Sequence, residues 1–165
     1  CKTKCFEESS VCKRCSVTDH KQLAVDLFNH TWSLLDTTNR TTEQDEEMVH
    51  SAHASRRHWG IAGTPLNHAR GEWQIARVYA VLRRFSAAAH HAQLYMNACK
   101  VHSFSPFDEA FANEGLARAL VENDPERAKK CLHKAKKIGD GIENEEDRDW
   151  LHTNLDAISG ELHDH

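Results

Sequence analysis

Apolar residues recur every three or four positions along most of this chain, and no segment alternates strictly, so the pattern predicts helices and no strands. Ala24, Leu27, Phe28, Thr31 and Leu35 share one face of a first helix capped by Thr18 or Asp19. Met48, Val49, Ala52 and Trp59 form the stripe of a second, which opens on the capping box from Thr41 to Gln44. Gly60 and Gly63 bracket a turn. Thr64-Pro65, Ser105-Pro106 and Asp124-Pro125 then each place an N-cap before a proline at the first helical position. They open a third helix reaching Arg83, a fifth reaching Glu122 and a sixth ending at Gly139. Ser86 opens a fourth, to Val101, and a seventh runs from Asn144 to Leu162 with Trp150, Leu151, Leu155 and Ile158 apolar.

The spacing of these starts says how the helices assemble. Odd-numbered helices begin near 18, 64, 105 and 144, a recurrence of about 40 residues, which marks a stacked array of helical hairpins. The expected fold is therefore all-α, with residues 1–17 a cysteine-rich segment and residues 18–165 one helical domain of about seven helices. Only 7 Gly and 3 Pro among 165 residues fit short connections between long helices. A formal net charge of −4 argues against a nucleic-acid partner, and Arg56-Arg57 and Arg83-Arg84 lack the interleaved aromatics of such a surface. No apolar run approaches the ~18 residues that cross a bilayer, so no membrane association is expected.

Residues 69–102 resemble a tetratricopeptide repeat, a helix-turn-helix of about 34 residues. Ile75-Ala76 stands at its large-then-small step, Tyr79 three residues later, Phe85 at the aromatic turn position, and Ala88 and Ala92 at close-packing sites of its second helix. Trp73 is one place late for the repeat's tryptophan, and Arg83 replaces a turn glycine. Residues 110–138 are similar to a weaker copy through Ala117, Leu120, Ala128, Leu132 and Ala135. The resemblance implies a peptide- or protein-binding scaffold with a concave groove, and no catalysis.

The same resemblance places a polar strip of the third helix on the groove. Asn67, Arg70, Gln74 and Arg77 run between a side bearing Ala69, Trp73, Ala76 and Ala80 and a side bearing Ile75, Val78, Tyr79 and Leu82. Corresponding edge positions are Gln22, Asp26 and Asn29 on the first helix, and Glu114 and Arg118 on the fifth. Guanidinium forks match two carboxylate oxygens, so the strip is expected to hold an acidic side chain or a peptide C-terminus. The competing expectation is the solvated edge of a buried helix, whose residues can pair with Asp or Glu of a neighbouring repeat.

Cys1, Cys5, Cys12 and Cys15 are the second constellation. Four thiolates within this span suit a structural zinc ion, and Cys12-x2-Cys15 has knuckle spacing. A redox-labile tail and a pair of disulfides are the other readings. Cys99 and Cys131 fall on apolar helix faces as lone buried thiols, which points to a reducing, cytoplasmic setting. Of the 13 histidines, His30, His50 and His53 are the set that a metal-dependent bundle enzyme would need to bring together. An oligomerisation domain, its groove filled by a second copy of the chain, is a further alternative.

Overall fold

A computed structural model describes residues 19–163. Seven helices account for nearly all of them: α1 (His20–Asp36), α2 (Thr42–Ala62), α3 (Pro65–Val81), α4 (Phe85–His102), α5 (Pro106–Leu120), α6 (Pro125–Gly139) and α7 (Glu145–His163). No strand occurs among the described residues. The helices pack in consecutive pairs, as a helical-hairpin array.

Capping chemistry sets most starts. Asp19, Thr41, Thr64, Ser105 and Asp124 each accept the backbone N–H three residues on. At Thr41 and Thr64 the third residue answers with its own side chain, completing a capping box. Several boundaries differ from the sequence expectation, among them the ends of α3, at Val81 rather than Arg83, and of α5, at Leu120 rather than Glu122. Helix α2 runs through Gly60 and stops at Gly63, whose N–H closes on the Trp59 carbonyl. Helix α4 starts at Phe85, one residue early, with no side-chain cap. There the chain turns through Arg83, which has φ 56° and so stands in the left-handed region that glycine adopts more easily.

Odd helices touch one another in series, α1 with α3, α3 with α5, and α5 with α7. Among the described residues the backbones of the even helices stay apart and only side chains bridge them, His53 of α2 to His91 of α4 at 5.4 Å between ring centroids and Arg127 of α6 to Gln93 of α4 at 3.3 Å, so the odd helices form the concave layer. Helix α5 touches α3, α4, α6 and α7 and is the buried centre, with every residue from Ala110 to Val121 buried. Its Ala110, Ala112, Ala117 and Ala119 are fully enclosed, and short side chains there let four neighbours approach. Tyr95, Phe111, Leu151 and Leu155 fill the main core with the alanines of α3 and α4, including Ala88 and Ala92.

Two glycines inside helices test this packing with opposite signs. A Cβ on Gly71 would sit 2.9 Å from Arg56 Cγ and 3.2 Å from Arg56 Cα, so α2 crosses α3 against bare backbone. A Cβ on Gly115 would meet Trp73 Cδ1 at an ordinary 3.6 Å. Chemical denaturation should show Gly71→Ala losing about 1–3 kcal/mol through overpacking. Gly115→Ala should gain about 0.5–1 kcal/mol from reduced unfolded-chain entropy. The reverse order of stabilities would contradict the α2–α3 crossing.

Cys99 is buried and Cys131 partly buried, both as free thiols, and burial pushes the Cys99 thiol up to about 12. Among the described residues no helix is long and apolar enough to cross a membrane.

Candidate functional site: an aromatic cleft beside a bridged strip

The polar strip of α3 turns toward α5. Arg70 donates through Nε and Nη2 to the two carboxylate oxygens of Asp108, at 2.7 and 3.1 Å. Asp108 is 1% exposed, and its oxygens also accept the Tyr95 hydroxyl at 2.8 Å and the Ser105 hydroxyl at 2.7 Å. Burial pushes this carboxyl up, but the hydrogen bonds from Arg70, Ser105 and Tyr95 outweigh it and hold it below the usual range. The bond to Asp108 in turn raises the Arg70 guanidinium above its ordinary value.

One turn pair further along, Arg77 donates to Glu114 Oε1 at 3.3 Å. Arg118 donates to the same oxygen through Nε and Nη2, at 2.9 and 2.7 Å, and reaches Asn154 of α7 at 3.3 Å. Burial lowers the Arg77 guanidinium, with Arg118 nearby acting in the same direction. Gln74 lies fully buried beneath the strip, donating to the Phe28 carbonyl at 2.9 Å. Its Oε1 finds no hydrogen-bond partner among the described residues.

The strip's cations thus pair with carboxylates of the next hairpin, as the second sequence expectation allows, but the strip is no solvated edge, since Gln74 is 0% exposed and the Arg77 side chain 25%. Asn67 is engaged in capping α3, its Oδ1 accepting from the Thr64 amide and hydroxyl. On α1, Asn29 is exposed and Gln22 donates to Asp26 at 2.8 Å, one turn along the same helix.

Beside the bridged strip the concave layer holds a cleft of about 310 Å³. All four tryptophans of the chain line it, Trp32, Trp59, Trp73 and Trp150, with Phe28, Phe107, Asn67 and Arg70. Trp73 is the most buried of the four, 8% exposed, with ring centroids of Trp32, Phe111 and Trp150 at 5.4, 5.5 and 5.7 Å. Trp150 of α7 reaches Trp32 of α1 at 6.4 Å, so the array curls far enough for its first and last helices to meet. Trp150 still leaves 41% of its surface exposed. Arg70 stands 5.4 Å from the Phe107 ring centroid, a cation–π contact at the cleft wall.

Sequence reasoning placed Phe28, Trp59, Trp73 and Trp150 on apolar helix faces, gave Trp32 and Phe107 no place, and missed the cleft. The available signal was the distribution of tryptophan, one each on α1, α2, α3 and α7. Arg70 and Asn67 are the strip residues that line the cleft, whereas Gln74 lies beneath the surface.

The helix-borne histidines point to separate partners. His30 pairs with Glu47 at 2.9 Å, and His53 meets the Tyr79 hydroxyl at 2.9 Å. Among the described residues no three His, Cys, Asp or Glu side chains converge as a metal site. On the outer side, buried Glu72 joins Arg56 and His91, the latter at 2.7 Å. Burial pushes Glu72 up, but His91 and Arg56 outweigh it and leave the carboxyl below its ordinary value. Cys1, Cys5, Cys12 and Cys15 lie outside the described residues.

A scan against protein-family models matches none, and searches of curated proteins and of solved structures return no match.

Proposed function

We propose that this chain is a peptide- or protein-interaction module of tetratricopeptide-like build, and that the concave cleft takes an aromatic or aliphatic side chain of its partner. The observation that carries the reading is the collection of all four tryptophans around one open cleft. Aromatic side chains dominate binding energies because they bury large area at small entropy cost, and they concentrate where partners dock. A volume of about 310 Å³ lies at the small end of ligand sites and suits one anchoring side chain better than a whole helix.

Arg70 and Asn67 then supply polarity at the edge. Arg70 uses two of the guanidinium's five donors on Asp108. An acidic side chain or C-terminal carboxylate beside the anchor is therefore a secondary contact. The lining consists of Phe, Trp, Asn and Arg, which favours recognition over proton transfer or nucleophilic attack.

Random peptides displayed on phage and panned against the full chain test this reading. Selected peptides should carry a common aromatic or aliphatic anchor and shift the intrinsic tryptophan emission. Trp59→Ala, at the half-buried rim, should weaken them roughly 30-fold, the effect of a hot spot worth about 2 kcal/mol. Peptides that bind the variant and the wild type equally would place recognition elsewhere. Light scattering that rises with concentration, and falls in the Trp59 variant, would give the cleft to a second copy of the chain.

A further inference from the structure

The lining of the aromatic cleft is one-sided in its hydrogen bonding. None of the four indole N–H groups finds an acceptor among the described residues. Gln74 Oε1 is the one buried side-chain atom left without a partner there, so the unbonded Trp73 N–H, in a residue only 8% exposed, still reaches accessible surface. Asn67 commits its Oδ1 to the Thr64 amide and hydroxyl, which leaves its Nδ2 free to donate. Arg70 keeps guanidinium donors beyond the two it directs at Asp108. Tryptophan and phenylalanine carry no side-chain acceptor. The walls therefore present donors and aromatic faces, with no free side-chain acceptor among them.

That polarity selects among ligands. A lysine ammonium, a sugar hydroxyl or an ordinary peptide N–H would meet only donors, and a buried donor without an acceptor costs its full desolvation. Proline differs from every other residue in bringing a carbonyl acceptor and no N–H. Its ring is compact and apolar. Segments rich in it are preset as an extended left-handed helix that docks on aromatic grooves with little ordering left to do. We propose that the cleft recognises a proline-rich segment in this polyproline II form, an inference that rests on reading the cleft as the docking site.

The position of Trp59 suits an extended ligand. Among the described residues it is the tryptophan with no aromatic ring packed against it, so its indole is free to stack on a partner. It also lines a second hollow of about 310 Å³, together with Gly63, Pro65, His68 and His102. A chain that fills both hollows must cross Trp59. Polyproline II advances about 9 Å per three-residue turn, so prolines three apart present the same edge on either side of one indole.

Binding of a capped L-decaproline to the full chain, followed by indole N–H resonances and tryptophan emission, provides the test. The peptide should bind saturably and shift the Trp59 and Trp73 N–H signals downfield as they gain carbonyl acceptors. Its D-enantiomer has the same apolar surface in mirror image, and should bind more weakly by roughly 10-fold or more. Trp59→Phe keeps a stacking face but loses the donor, and should weaken the L-peptide roughly 3–10-fold, the effect of one hydrogen bond. Circular dichroism checks that this variant keeps its helices. Equal affinity for the two enantiomers, unshifted indole N–H signals, undiminished binding by Trp59→Phe, or a folded wild type that ignores the L-peptide would each overturn the proposal. Panned peptides that lack proline yet depend on Trp59 would overturn it too, while leaving the cleft as the docking site. Indifference of every peptide to Trp59 would remove both readings.

Discussion

Asp108→Ala is expected to lower the unfolding free energy by about 3 kcal/mol. Removing one partner of a buried, hydrogen-bonded ion pair typically costs about 3–5 kcal/mol, because the groups left behind stay buried without a counterpart. Here Arg70, Tyr95 and Ser105 all lose their acceptor at once. The lower end applies because the Arg70 side chain is 39% exposed and can turn to water, whereas the Tyr95 hydroxyl, in a residue 1% exposed, cannot. Arg70→Ala should cost less, since Asp108 then keeps its two hydroxyl donors.

The same carboxylate sets a pH dependence. Its folded-state value lies below that of the unfolded chain, as does that of Glu72. The stabilisation is therefore fully present above the ordinary carboxylate range and is lost as pH falls through it, below about pH 4. Burial lowers His53 and His68 too, so these rings favour the fold when neutral and add to the loss as pH drops below about 6.5. Urea denaturation across this range should show Asp108→Ala with a shallower acid limb than wild type. A cost under about 1 kcal/mol with an unchanged acid limb would mean that Asp108 is not the α5 anchor of α3.

Trp73→Ala should be equally damaging, at about 3–5 kcal/mol. Four aromatic rings contact this indole, from Trp32, Tyr95, Phe111 and Trp150, and they belong to four different helices besides its own. No single neighbour can move in to fill the space, so the substitution joins a new void to the existing cleft. Trp59→Ala should differ in kind, removing a half-buried rim residue with a loss near 1 kcal/mol. The pair separates support of the cleft from recognition by it: Trp73→Ala should reduce both stability and peptide binding, Trp59→Ala chiefly binding. Thermal or chemical melts that show the two variants equally stable would contradict the assignment of Trp73 as the floor.

Helix starts were legible because their causes are local. A Ser, Thr or Asp before Pro at 64, 105 and 124 meets its own third residue in the chain, whatever the tertiary context. The start of α4 was misread for the complementary reason: its entry is set by the left-handed turn at Arg83, and Ser86 only resembled a cap. A helical wheel grouped Asn67, Arg70, Gln74 and Arg77 correctly but could not show what stands opposite. The repeat offset could have done so, since Arg70 meets Asp108 38 residues later and Arg77 meets Glu114 37 later, close to the recurrence of the helix starts. Helix α5 hid its central position because so many of its residues are alanine, which is equally at home on a surface. The cleft was least accessible to sequence reasoning, for it exists only through the curl that carries Trp150 back to Trp32, a contact across 118 residues.

That curl is the claim on which the aromatic cleft depends, and ring-to-ring nuclear Overhauser effects in the full chain measure it directly. With the four indoles assigned through single Trp→Phe replacements, the account predicts cross-peaks between Trp32 and Trp150 and from Trp73 to both. A well-dispersed spectrum in which Trp73 contacts Trp32 but neither reaches Trp150 would describe an open array, with no shared cleft between its first and last helices.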